Sequence, residues 1–212
     1  MTESKYDFKN MKISEFDEHL AARDSVPGGG GASALVGAIG IALGSMVGEF
    51  TVDKPKYADV EEDIKALMKK AAALRLNFEE LIDKDAEAFK PLSKAYALPK
   101  DSPNRDEVME ECLRNAADVP FEIFKYAMEA LDIMDEFSLK GSKMIVSDAA
   151  TGATILRSAL KGAAINVKVN TRLMKDRDYA ATLDKFVDEN LLQYSDKADE
   201  IYGRIYETLS VK

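Results

Sequence analysis

Apolar residues recur every three or four positions along most of the chain, and runs in which they alternate strictly with polar residues are nearly absent. A period of 3.6 marks a helix with one buried face, whereas a half-buried strand shows a period of two. The cleanest stripe begins after Lys56 and passes through Tyr57, Val60, Ile64, Leu67, Leu74, Phe78, Leu81 and Phe89. Another runs from Val108 through Cys112, Ala116, Ile123, Phe124 and Leu131 to Met134. Turn-forming residues interrupt the pattern at Asp24 to Gly31, at Lys54-Pro55, at Leu98 to Asn104 and at Gly141-Ser142. The pattern predicts a short helix over about Ser14–Ala22, with Ser14 as N-cap and Asp17 three positions on. A second helix runs from Ala32 to before Lys54, a third from Lys56 with a kink at Pro91, and a fourth bends at Pro120. A fifth spans about Met144–Lys175 and a sixth about Tyr179–Leu209. Long helices with short connections give an all-α fold, an elongated bundle of five to six helices in one domain over 1–212.

Composition narrows the functional classes. With 46% hydrophobic and 32% charged residues the chain is an ordinary globular mixture. Its formal net charge is −9, with no basic run to offset it, which argues against nucleic acid or an anionic membrane surface as partner. The single cysteine, Cys112, forms no internal disulfide, and MTESKYDFKN does not read as a signal peptide; a cytoplasmic location is the expectation. From Val26 to Gly48 there is no charged residue, a length that spans a bilayer. Eight of those positions are glycine, however, and no basic residue flanks the stretch, so a buried central helix is the better reading.

Gly28-Gly29-Gly30-Gly31 directly before a helix is the most distinctive local feature. Such a turn either points backbone N–H groups at an anion or is simply a tight connection between helices. Gly29-x-Gly31-x-x-Ala34 superficially fits a dinucleotide fingerprint, but no strand precedes it and no βαβ unit follows. Farther along, Gly40, Gly44 and Gly48 recur every four residues with Gly37 beside them, clearing one helix face for close packing or for a flat ligand.

His19 is the only histidine, so a zinc set, a Ser-His-Asp triad and a di-iron pattern fall away, and no metal is expected. His19 borders a short apolar stripe and suits a structural role, while Cys112 falls on a core stripe. Acid–base chemistry is left to aspartate, glutamate, lysine or tyrosine. Asp85 stands where the third helix's stripe expects an apolar residue, seven past Phe78 and four before Phe89, whereas Asp83 rotates toward the edge. An inward carboxylate is either a functional group or half of an interhelical salt bridge. In the fifth helix Arg157, Lys161, Lys168 and Arg172 form one basic face, with Asp148, Gly152, Asn166 and Asn170 roughly opposite. Inward Asn residues either tie the bundle together or touch a ligand. Asp148 and Asn166 lie roughly 27 Å apart along the helix and cannot act on one atom within a single chain. Either one is structural, or a dimer brings partners together.

Ser25-Val26-Pro27-Gly28-Gly29-Gly30-Gly31, running into a helix with Gly44-Ser45-Met46-Val47, resembles the cyclodeaminase/cyclohydrolase family of folate enzymes. Ile82-Asp83-Lys84-Asp85-Ala86-Glu87-Ala88-Phe89, Leu98-Pro99-Lys100, Ser147-Asp148 and Asn166-Val167-Lys168-Val169-Asn170 follow in the family's order. Together they cover roughly residues 12 to 180. Ser142 stands where the family usually places Asn. The resemblance implies an elongated helical homodimer that binds a tetrahydrofolate derivative as substrate near the subunit interface, with no other cofactor. It assigns Asp85 and Asp148 as acidic site residues, Lys100 as a cationic one and Gly28, Gly29, Gly30 and Gly31 as pocket. Ser147, Asn166 and Asn170, in the matching motifs, are further substrate-binding candidates. The implied activity is hydrolysis of methenyltetrahydrofolate to formyltetrahydrofolate, with ammonia-releasing cyclodeamination of formiminotetrahydrofolate as the alternative. A non-catalytic helical dimer that binds a folate or a partner protein is the reading from another class.

Overall fold

The computed structural model describes residues 6–210. Six α-helices account for nearly all of them: α1 Ile13–Ala21, α2 Gly29–Glu49, α3 Glu61–Tyr96, α4 Arg105–Lys140, α5 Val146–Thr171 and α6 Arg177–Leu209. Short 3-10 helices at Phe8–Asn10 and Pro55–Val60 precede α1 and α3, and no strand occurs among the described residues. The all-α expectation therefore holds.

Two helix starts differ from the sequence reading. Helix α1 begins at Ile13 behind Lys12, whose carbonyl accepts from the Phe16 N–H, so Ser14 lies inside the first turn and caps nothing. Helix α2 begins at Gly29 with Gly28 as N-cap, so three of the four glycines are helical. The first turn of a helix has no internal partners for its N–H groups, and a carboxylate from elsewhere in the fold supplies one here. The helix ends also shift: α5 stops at Thr171 and α6 starts at Arg177, where the Asp176 carboxylate accepts from the Tyr179 N–H at 2.9 Å.

Helix α2 is the axis of the bundle, packed on α3, α4 and α5. Among the described residues it is also the one helix long and apolar enough to cross a membrane, and three neighbours cover its inner face. Its glycine row explains how. A Cβ on Gly37 would fall 2.6 Å from the Phe78 ring, one on Gly40 2.7 Å from Leu156, and one on Gly44 2.9 Å from Phe137. Gly152 of α5 answers from the other side, since a Cβ there would lie 2.9 Å from the Gly40 carbonyl. Glycine costs roughly 1 kcal/mol per helical position relative to alanine. Here the close approach of α2 and α5 offsets that cost. The contacts run Gly29 to Asn166, Gly162 to Ser33 and Gly40 to Leu156, so α2 and α5 are antiparallel.

Pro91 and Pro120 both sit inside continuous helices. A helical proline has no N–H for the carbonyl four residues back. For Pro120 that carbonyl belongs to Ala116, and the Asn170 Nδ2 of α5 donates to it at 2.8 Å. An orphaned acceptor on one helix thus fixes the position of a side chain on another. Two members of the basic face of α5 turn to α6, Arg157 pairing with Asp199 and Lys168 with Asp188 and Asp184, while Lys161 and Arg172 are exposed.

Candidate active site

Helices α2, α3 and α5 meet around a small cavity of about 150 Å³ at the N-terminal end of α2. Ser25, Gly28, Gly29, Gly30, Asp85, Asn166 and Asn170 supply its polar wall, and Val26, Phe89 and Val169 its apolar one. Helix α3 brings Asp85 because its apolar stripe faces α2, and at this height α2 offers glycine instead of bulk. A Cβ on Gly30 would fall 2.0 Å from Asp85 Oδ1, so only glycine leaves room for the carboxylate.

The two oxygens of Asp85 are in different situations. Oδ2 accepts from the Gly31 N–H at 2.9 Å, which caps the first turn of α2. Oδ1 has no hydrogen-bond partner among the described residues and opens on the cavity. Burial pushes the carboxyl up to about 6, against the smaller downward pull of the Gly31 N–H. A carboxylate that changes charge near neutrality is suited to proton transfer. The inward Asp85 expected from the stripe is therefore present, and its partner is a helix end rather than a salt bridge.

Asp83 reverses its expectation. It is 2% exposed instead of lying at an open edge, because the N-terminal segment covers it and the Phe8 N–H donates to its Oδ1 at 2.7 Å. Its carboxyl is also raised by burial under that segment. Asp83 fastens the N-terminal segment and faces away from the cavity.

Asn166 and Asn170 arrive from α5 one turn apart. Asn166 Nδ2 donates to the Gly162 carbonyl at 2.8 Å, leaving its Oδ1 and one N–H unused. Asn170 Nδ2 gives both hydrogens to main-chain carbonyls, those of Ala116 at 2.8 Å and Asn166 at 2.9 Å. Asn170 is thus mainly a structural tie that presents an acceptor oxygen, while Asn166 is free to engage a ligand. Ser25 and Lys90 complete the rim, the Lys90 Nζ donating to Ser25 Oγ at 3.0 Å. Nothing in the helical pattern singled out Lys90; only the fold brings α3 against the chain before α2.

The remaining candidates lie elsewhere. Lys100 is exposed in the turn after α3 and does not line the cavity. Ser147 and Asp148 sit in the first turn of α5, at the opposite end of that helix from Asn166. Ser142 is buried near Asp148's end of α5, its N–H donating to Thr51 Oγ1 at 2.8 Å, so it takes no part in this cavity. His19 pairs with Asp24 at the surface and Cys112 is buried in the core, as the sequence suggests. A broader depression of about 560 Å³ lies between α4 and the α5–α6 joint. Its walls are tied to each other: Glu110 accepts from the Lys175 and Asp176 N–H groups, Arg114 pairs with Asp176 and Lys175 with Asp106. That depression is a fastened joint.

Comparison with known proteins places this geometry. A methenyltetrahydrofolate cyclohydrolase of Methylorubrum extorquens is 37% identical over 207 residues, covering 96% of this chain and 98% of that protein. The formimidoyltransferase-cyclodeaminase of Mus musculus is 32% identical over 171 residues, 79% of this chain, which spans only 32% of that longer protein. The crystal structure of a formiminotetrahydrofolate cyclodeaminase from Thermotoga maritima superposes with a TM-score of 0.81 at 28% identity, covering 96% of this chain and 98% of that one. The sequence profile described as formiminotransferase-cyclodeaminase matches residues 12–189, a span that holds the glycine turn, Asp85, Asn166 and Asn170 alike, and the chain belongs to that family.

Proposed function

We propose that this chain hydrolyses the cationic methenyl bridge of a tetrahydrofolate, giving the formyl derivative and a proton. The observation that carries the proposal is the Asp85 carboxylate, held at one oxygen by Gly31 and open at the other to the cavity. Water attacks the amidinium carbon between N5 and N10, Asp85 takes its proton, and a neutral tetrahedral adduct forms. As the C–N5 bond breaks, Asp85 returns its proton to N5 and the adduct's hydroxyl loses its own to solvent, which leaves the formyl group on N10 and releases one proton overall. The negative charge of Asp85 also favours a cationic ring beside it. Asn166, with an unused donor and acceptor, is placed to orient the water or a pterin edge. The step needs neither a metal nor a redox group, because the substrate is already an activated cation.

The full-length match to a stand-alone protein named a cyclohydrolase favours hydrolysis. Cyclodeamination is the second reading, favoured by the name of the Thermotoga maritima relative. In that direction N10 attacks the formimino carbon and ammonia leaves, which requires an acid at the departing nitrogen. Asp85 in its protonated form stands at the cavity, whereas Lys100 serves only if another chain or a moved loop brings it there. The test is loss of methenyltetrahydrofolate absorbance above the uncatalysed rate, run beside ammonia release from formiminotetrahydrofolate. Hydrolysis without ammonia release is expected; ammonia release establishes the deaminase. An Asp85→Asn enzyme with full activity rules out Asp85 as the base.

We also propose a homodimer. The outer face of α2 and α5 exposes Ile39, Met46 and Ile165 at 42%, 42% and 69%. These apolar side chains lose their contact with water if a second copy covers them.

A further inference from the structure

One contact at the rim of the cavity can run in only one direction. Lys90 Nζ lies 3.0 Å from Ser25 Oγ and joins α3 to the segment before α2. An ammonium group has three donors and no acceptor, so Ser25 can only accept here. Its own O–H hydrogen is then directed elsewhere, and among the described residues nothing accepts it. Ser25 is half-buried and walls the cavity together with Asp85 and Asn166. The cavity is therefore where that hydrogen points. Lys90 itself stands outside the wall, facing an outer depression with Tyr6 and Lys94. The segment does not need this contact as an anchor, because the next two residues, Val26 and Pro27, are already buried.

A donor facing Asp85 answers a need of the reaction. The cavity measures only about 150 Å³, so the groups on its wall share the few waters it holds. A water that gives one proton to Asp85 Oδ1 has two lone pairs. One attacks the amidinium carbon, and the other is left for a donor. Once the C–O bond has formed, the same oxygen sheds its second proton to become the formyl oxygen. A donor already aimed at it stabilises the negative charge that develops there. The hydrogen bond received from an ammonium polarises the Ser25 hydroxyl and strengthens it as a donor. In direct contact, a lysine would repel the cationic bridge; from behind Ser25 its charge acts mainly through the O–H.

We propose that Ser25, polarised by Lys90, is a catalytic hydrogen-bond donor to the oxygen that becomes the formyl oxygen, and that Lys90 is the positioning residue behind it. This rests on the folate reading of the Asp85 cavity. Ser25 keeps its own proton throughout. The first proton of the water goes to Asp85 and from there to N5, and the second goes to solvent. Base and oxygen donor are thus separate groups, each with its own support: Gly31 holds Asp85, and Lys90 holds Ser25. Asp85 and Lys90 are five residues apart, roughly 7.5 Å along α3, so one helix carries both the base and the group that polarises the donor.

The test is steady-state hydrolysis of methenyltetrahydrofolate by Ser25→Ala, Lys90→Met and the double variant, each checked for helix content by circular dichroism. Ser25→Ala is expected to lose about 10²-fold in kcat. Its KM stays nearly unchanged, because the lost bond reaches full strength only in the transition state. Lys90→Met keeps the hydroxyl without its polarisation and is expected to lose about tenfold. With Ser25 already replaced by alanine, Lys90→Met is expected to change kcat no further. Lys94→Met, one turn along α3 and exposed, is expected to keep the wild-type kcat. Four results overturn the proposal: an unchanged kcat in Ser25→Ala, a loss confined to KM, a further tenfold loss in the double variant, or an equal loss in Lys94→Met. If Ser25→Ala loses its helix content, the comparison of Lys90→Met with Lys94→Met still decides. An active wild type with any of the four sinks this role alone, whereas a wild type that hydrolyses no methenyltetrahydrofolate sinks the folate reading with it.

Discussion

Asp85 is held at Oδ2 by the Gly31 N–H and exposed to the cavity at Oδ1, so one side chain both caps α2 and faces the reaction. Burial raises its carboxyl from the ordinary 3.8 to about 6. A raised folded-state value means that protonation favours the fold. The contribution is complete below pH 3.8 and is lost as pH rises through about 6. At pH 8 the ionised group therefore costs roughly 3 kcal/mol of stability. Asp85→Asn keeps an acceptor for Gly31 and removes the charge. Its melting temperature at pH 8 is expected above that of the wild type, with the gap closing toward pH 4. Activity moves the other way, falling by about 10²–10⁴-fold, and in the wild type the rate is expected to rise with pH to a plateau above about 6. Gly30→Ala, which puts a Cβ 2.0 Å from Oδ1, is expected to displace the carboxylate and abolish turnover; a crystal structure and a kcat measurement check both halves. Asp85 was legible in the sequence because it broke an apolar stripe. Asp83 was not, because its cover comes from Phe8 and its neighbours, 75 residues away in the chain, and a helical wheel contains no information about that segment.

At the scale of elements, the glycine row was visible as a four-residue spacing, but which neighbours it admits was not. The structure separates glycines that hold helices together from those that do not. Gly152→Ala presses a Cβ against the Gly40 carbonyl, which cannot yield, and is expected to cost about 1–3 kcal/mol. Gly48→Ala meets Met68 Cγ at 2.5 Å and the buried Phe137 ring at 3.1 Å and is expected to cost a similar amount, while Gly203→Ala on α6 meets nothing within 4 Å and gains up to roughly 1 kcal/mol. Urea unfolding of the three variants checks the contrast. Pro120 and Asn170 were likewise each conspicuous alone, yet nothing in the sequence joined them. Here Asn170 supplies the donor that Pro120 denies to the Ala116 carbonyl. Asn170→Ala is expected to cost roughly 1–3 kcal/mol. Pro120→Ala restores a main-chain N–H and should recover part of that loss, so a double-mutant cycle with simple additivity would disprove the link.

For the molecule as a whole, a helix with the length and apolar content of a membrane span is accounted for in two ways: three helices cover its inner face, and its outer face is left uncharged. The sequence revealed the apolar run and the turn before it, since both are local. It did not reveal that Gly29 to Gly31 are helical, because the cap that allows this comes from Asp85 on another helix. Nor did it locate the outer face, which depends on where α3, α4 and α5 already sit. Ile39 is 42% exposed on that face. Ile39→Lys places a charge there at no cost to the folded single copy, whose lysine stays in water, but buries one such charge from each subunit in a dimer. Weakening of self-association by at least tenfold, or about 1.4 kcal/mol, is the expected result. Sedimentation should show folded single copies at concentrations where the wild type is paired. If the site is shared, activity per chain should then climb with protein concentration as pairs re-form. A fully active single copy would instead mean that the Asp85 cavity is a complete site and that the exposed face serves another purpose.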